Sequence, residues 1–227
     1  SAVLLLVTYA QLAQLSPGAD RGIDTLLRNV LLLLACSRAG ATLSLDARLR
    51  HGQWLPVVSV PAWPRYLIVV QLSLMYFMAG ILKQSAAWTS LGGYSALFLV
   101  LNHPHFARFV VSRDLLLSSY PVLQLATLLT IAFERAAIMV PVLVWFRLTR
   151  TRRGVLRTFA NRARLLEIWI ILGATFHVGL ALTLLLGIFP WGCLALYPSL
   201  ASPESIRRVM TRCGALCRDM TTCAKSC

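Results

Sequence analysis

Lys83 is the residue in this chain best suited to proton chemistry in apolar surroundings. Of the 22 basic residues, all but Lys83 and Lys225 are arginine. Arginine does not release its proton in proteins, whereas a partly desolvated lysine can have its pKa lowered and act as a base. Lys83 follows a nearly continuous apolar run, Tyr66 to Leu82, long enough for most of a bilayer crossing. Read as a helix, Ser73, Tyr76, Gly80 and Lys83 fall at offsets of three, seven and ten and share one face. A hydroxyl, a phenol, a gap without a side chain and an amine thus form one wall, a candidate active-site wall. The alternative is that Lys83 only snorkels from a helix end to the headgroups.

Two further places carry ionisable groups inside apolar sequence. Glu134-Arg135 lies near the midpoint of the run Pro121 to Phe146. Charges at that depth are costly and are functional candidates by default. Adjacent residues sit about 100° apart around a helix and cannot fully serve each other, so one or both should face another helix. His177 stands in the middle of Leu165 to Pro190, either as a hydrogen-bonded core residue or as a catalytic group. His103 and His105 flank Pro104, have no third ligand nearby, and would point to opposite faces of a helix, so no metal site is expected.

The elements that must position these groups follow from composition. Hydrophobic residues make up 58% of the 227 and charged residues 13%, with a mean hydropathy of +0.71. A soluble domain carries about a quarter charged residues. The expectation is an all-α, multi-pass transmembrane helical bundle of about four to six membrane segments. The net charge of +14 sits in arginines at the ends of apolar runs. No helix-turn-helix, zinc-finger or RNA-binding signature accompanies it, so membrane lipid, not nucleic acid, is the expected partner. No Walker loop, dinucleotide glycine motif, nucleophile elbow or H-E-x-x-H occurs, which removes the common routes to an ATPase, a soluble dehydrogenase or a metalloprotease. No repeat symmetry supports a transporter.

In chain order, residues 1–15 read as a short apolar helix, broken by the turn residues 16–20. The chain starts without Met, and its first apolar run has no basic region before it. The N-terminus is therefore expected to be incomplete. Ile23 to Ala41 is the next apolar segment, with Asp24 and Arg28 one turn apart, either paired or separately solvated. Leu43 to Trp63 is a connector in which Pro56 and Pro61 discourage one long helix, and Pro64 suits the first turn of the central helix. That helix should end near Ser85. Trp88 and Gly92-Gly93 read as a turn, and 93–112 as an interfacial or re-entrant helix. Pro141 should kink the span over 121–146. Arg147 to Arg164 carries seven arginines and no acid, a loop that marks the cytoplasmic side. Beyond residue 200 comes a basic, Cys-rich tail, 201–227. Its Cys213, Cys217, Cys223 and Cys227 would form disulfides on the oxidising side of a membrane, whereas its basic residues argue for the other side.

The run YFMAGILK ending on Lys83, followed by Trp88 and GGYSAL, resembles the transmembrane module of vitamin K-dependent gamma-glutamyl carboxylases, whose bacterial relatives carry the HTTM (horizontally transferred transmembrane) domain. Gly22-Ile23-Asp24-Thr25-Leu26-Leu27-Arg28 is similar to the family's G-x-D-x-L-L-R segment, Ser44-Leu45-Asp46 to its S-[LV]-D, and Thr175-Phe176-His177 to its aromatic-His element. Glu134 sits where bacterial relatives carry an acid. The family's N-H-x-Y segment has no counterpart. The resemblance, over roughly residues 20 to 200, implies a quinol-dependent mechanism. Lys83 would deprotonate a reduced naphthoquinone resembling vitamin K hydroquinone, and the anion would react with oxygen to give an epoxide and a strong base. That base would remove a glutamate γ-proton so that carbon dioxide can add. His177 would orient substrate or stabilise charge, while Ser73, Tyr76, Gly80, Trp88, Glu134 and Arg135 would form the quinone site. A glutamate-containing substrate protein or a redox partner is implied, in a bacterial cytoplasmic membrane rather than the endoplasmic reticulum. The alternative is a non-catalytic membrane module that binds quinone, lipid or a protein partner.

Overall fold

A computed structural model describes residues 2–15, 22–42, 44–56, 58–202, 205, 206 and 208. The cysteines of the tail lie outside the described residues. Among the described residues the fold is helical without a β-strand, an all-α membrane helical bundle.

The N-terminal apolar run forms α1, Ala2–Leu15. It packs on α2, Gly22–Ala35, and the Tyr9 hydroxyl donates to the Asp24 carboxylate across that contact. Ile23, Leu26 and Val30, spaced by three and four, are the inward face of α2. The connector holds one short helix, α3, Leu45–His51. Ser44 caps its start by accepting from Ala47 N at 3.0 Å, and Gly52 ends it in the left-handed conformation at φ 66°.

The central helix, α4, is Trp63–Leu82, with Pro64 in its first turn as expected. Ile68, Val69, Leu72, Ser73, Tyr76 and Gly80 are its buried stripe. The chain then turns through two 3-10 turns, Ala86–Trp88 and Ser90–Gly92. The helix anticipated over 93–112 is confined to α5, Ala96–Leu101, because Pro104 cannot donate to the helical ladder and the residue before it disfavours helical ψ. Ala107 instead bridges to Leu184, with Arg108 N donating to Thr183 O at 2.9 Å. A further short helix, α6, Arg113–Ser118, leads into the longest segment.

That segment is α7, Tyr120–Ala136, a 3-10 turn at Ala137–Met139, and α8, Val140–Leu148. The turn lies just ahead of Pro141, whose missing N–H frees the Ala137 carbonyl from the α-helical ladder. The arginine-rich stretch is not merely a loop. It contains α9, Val155–Arg162, whose Asn161 amide closes the corner by donating to Phe146 O at 3.0 Å. After it come α10, Leu165–Thr183, and α11, Phe189–Leu196. The return segment read from sequence as one run to Pro190 is thus two helices.

Among the described residues, three segments are long and apolar enough to cross a membrane: Trp63–Leu82, Tyr120–Leu148 and Leu165–Thr183. α1 is apolar but shorter. Their outward residues, such as Leu74, Met78, Leu128, Leu129, Ile171 and Leu172, are exposed hydrophobics, the surface of a helix that faces lipid. α4 is the hub, packed against α2, α7, α8 and α11. It runs antiparallel to the α7–α8 segment, so its last turn meets residues 134–135 and its earlier turns meet α8.

Candidate functional site: an amine–carboxylate pair and a buried phenol–imidazole cluster

The end of α4 carries the first group of candidate residues. Lys83 is the C-cap residue of α4, with φ −76° and ψ 72°. Its Nζ donates to both carboxylate oxygens of Glu134, at 2.7 and 2.6 Å, and lies 3.4 Å from the carbonyl of Ala79. The Trp88 ring covers another side of the amine, with Nζ 5.1 Å from the ring centroid. Glu134 has fourteen residues of the Tyr120–Leu148 segment on either side, whereas Lys83 stands one residue beyond the Trp63–Leu82 segment. The lysine side chain is 21% exposed and that of Glu134 7%. The amine is therefore the more accessible of the two groups.

Gly80 makes that approach possible. A Cβ there would fall 2.9 Å from the Glu134 Cβ and 3.1 Å from the Arg135 backbone nitrogen. Glycine lets the two helices come close enough for a lysine to reach a carboxylate on the next helix. Arg135 Nε donates to the Gly80 carbonyl at 3.2 Å. Both charged residues of the Glu134-Arg135 pair thus face α4, where sequence alone asked for at least one.

The second group lies two turns earlier on α4, about 10 Å along the axis for seven residues. The Tyr76 hydroxyl hydrogen-bonds His177 Nε2 and lies 3.2 Å from the Tyr197 hydroxyl. Tyr76, His177 and Cys193 are fully buried, and Cys193 belongs to the same core cluster as Tyr76. His177 Nδ1 is buried without a hydrogen-bond partner. Aromatic rings enclose the cluster. Tyr76 meets Phe133 and Trp169 edge-on, at centroid separations of 5.4 and 5.7 Å, and Phe133 stacks on Trp169 at 4.7 Å. Gly173 admits the Tyr197 ring, whose hydroxyl occupies the place a Cβ would take.

The single wall read from α4 is therefore divided. Lys83 joins Glu134, Trp88, Gly80 and Arg135. Tyr76 joins His177. Ser73 joins neither, because its hydroxyl donates to the Val69 carbonyl of its own helix at 2.7 Å. Tyr197, Cys193, Trp169 and Phe133 complete the buried cluster and were not singled out from sequence. The spacing of Cys193 and Tyr197 by four was the available signal. His103 and His105 occupy a turn with ring centroids 5.4 Å apart, and among the described residues no three His, Cys, Asp or Glu side chains group as metal ligands.

As chemistry, the first group is a hydrogen-bonded base and acid with one open side. The second is a chain of hydroxyl, hydroxyl and imidazole closed to solvent. No curated protein and no solved structure matches the chain. The family model of the HTTM domain matches residues 24–204, which contain both groups. The chain is a membrane protein and belongs to the HTTM-domain family.

Proposed function

We propose that the chain is a multi-pass, quinol-binding membrane module in which the Lys83–Glu134 pair accepts the proton of a quinol hydroxyl. The observation that carries this reading is the two-point contact of Nζ with a carboxylate at the middle of the Tyr120–Leu148 segment, the amine being the more exposed partner. As an ion pair it has no net charge. Its one shared proton can shift from Nζ to a carboxylate oxygen, which frees the nitrogen lone pair to take a proton from a bound hydroxyl. The pair then carries one positive charge beside one new oxyanion, so charge stays balanced where the dielectric is low. Trp88 offers a flat face for a ring, and the exposed side chains of Leu82 and Leu91 border the same end of α4 with apolar surface. A reduced naphthoquinone would supply a hydroxyl-bearing ring that dioxygen oxidises to an epoxide once it is deprotonated.

A second reading is favoured by the contacts beside the pair. The close approach at Gly80 and the bond from Arg135 to its carbonyl describe a joint between two helices. Here Lys83–Glu134 is a staple in a non-catalytic module that binds quinone, lipid or a protein partner.

The test is epoxide formation from a reduced naphthoquinone and oxygen by the nanodisc-embedded protein, its Lys83→Ala variant and its Glu134→Gln variant. Epoxide from the wild type, reduced roughly 100-fold or more in both variants while they remain folded, is the expected result. Activity retained in a folded Lys83→Ala protein, or no epoxide from a wild type that binds quinol, overturns the acceptor role and leaves the staple.

A further inference from the structure

The arginine-rich end of the bundle, opposite Lys83, contains a cleft of about 670 Å³ that the acceptor site does not use. Its walls include Arg147, Asn161, Arg162, Arg164, Glu167 and Arg208. We propose that this cleft binds the phosphate of an anionic phospholipid headgroup.

The charge in the cleft is arranged for an anion. Glu167 is the acidic residue among the described lining residues, and Arg147 Nη2 already holds it at 2.8 Å. Arg162 and Arg164 are exposed and have no acidic partner among the described residues. Asn161 does not compete for the ligand, because its amide nitrogen is committed to the carbonyls of Phe146 and Arg157. Arg164 also serves as the N-cap of the 19-residue α10, in the left-handed conformation at φ 53° and without a side-chain cap. The unpaired N–H groups of that first turn open where Arg164 and Glu167 line the cleft, and they add positive potential there.

The place of the cleft decides between a lipid and a free ion. α8 ends at Leu148 and α10 begins at Leu165, so the cleft stands at the level where two apolar segments meet the headgroups. Beside it, α9 turns Val155, Leu156 and Phe159 outward, at 87%, 73% and 63% exposure. Its other side is held to α8 by Asn161 and by Arg157, whose guanidinium lies 4.8 Å from the Trp145 ring centroid. A short helix that shows an apolar row to the outside and turns Arg162 to a cleft fits the interface of a bilayer. Guanidinium groups, with donors that match phosphate oxygens in pairs, then fix the headgroup.

Retention of phosphatidylglycerol and of phosphatidylcholine by the purified full chain, measured by native mass spectrometry, tests this. The expected result is one phosphatidylglycerol retained per chain, with affinity roughly 30-fold lower in the double variant Arg162→Gln, Arg164→Gln. The control is Arg152→Gln, Arg153→Gln, which removes the same charge from the same stretch outside the cleft and should retain the lipid. Equal weakening in the control, or equal retention of phosphatidylcholine, shows diffuse attraction and overturns the site. Displacement of the lipid by millimolar inorganic phosphate shows that the ligand is a free anion, which overturns the lipid assignment.

Discussion

Arg135 donates to the carbonyl of Gly80 at 3.2 Å, one residue along from the carboxylate that holds Lys83. Two neighbouring residues of α7 therefore grip one helix end at two points, Arg135 on the backbone and Glu134 on the terminal amine. The close approach at Gly80 sets both distances. Gly80→Ala should push the helices apart, because its Cβ would fall 2.9 Å from the Glu134 Cβ and 3.1 Å from the Arg135 backbone nitrogen, neither of which can rotate away. A loss of about 1–3 kcal/mol is expected in thermal unfolding of the nanodisc-embedded protein. An unchanged melting temperature would mean that the approach is not tight.

The ion pair should behave as a unit. Glu134→Gln leaves an ammonium without its counter-charge and should destabilise by about 3 kcal/mol. Replacing both residues with apolar ones of similar length, Lys83→Met with Glu134→Leu, should recover most of that loss, since no buried charge then remains. A double variant that melts as low as the single one would sink this account.

Reactivity offers a separate measure of the amine. A lipid-soluble acylating reagent competes for two lysines in the chain, Lys83 and Lys225. In the wild type Nζ is engaged by both carboxylate oxygens of Glu134, which leaves it less free to attack the reagent. Peptide mapping should show Lys83 labelled several-fold faster in Glu134→Gln, relative to Lys225 in the same molecule. Trp88→Leu should also speed labelling, by removing a ring that covers the cation and contributes about 0.5–2 kcal/mol to it. Equal labelling in all three proteins would mean that neither partner controls the amine.

In the buried cluster the order of effects is diagnostic. Tyr76→Phe deprives both His177 Nε2 and the Tyr197 hydroxyl of their partner and should cost about 2–3 kcal/mol. Tyr197→Phe removes one contact and leaves the Tyr76–His177 bond, so it should cost about 1 kcal/mol. Calorimetric melts that reverse this order would assign the Tyr197 hydroxyl, not Tyr76, as the hub.

The stripe on α4 was legible because helical periodicity alone places Ser73, Tyr76 and Gly80 on one inward face. The break before Pro141 was legible because proline removes a specific hydrogen bond. What the stripe does was not legible. Periodicity says nothing about which helix lies opposite, so the pairing of Lys83 with Glu134, 51 residues away, had no local signature. Nor had the use of the Ser73 hydroxyl within its own helix. The helix α9 was obscured by its arginines, although Val155, Leu156, Phe159 and Ala160 follow an amphipathic spacing that marks it. Of the residues expected to form a quinone site, Gly80, Trp88, Glu134 and Arg135 stand with Lys83, while Tyr76 and Ser73 lie about two to three turns earlier on α4.

The separation of Lys83 from its acid also has a consequence for biosynthesis. At about 5–20 residues per second, 51 residues take roughly 3–10 s to synthesise. For that interval the lysine has emerged at the end of α4 and Glu134 does not yet exist. Its only low-cost position is then at the membrane surface, with the ammonium in water and the methylene stem along the helix. The surface position and the paired position thus belong to successive stages in the life of one side chain. Arrival of the acid supplies the partner, so the contact that fixes the amine at the end of α4 can form only once α7 has been made.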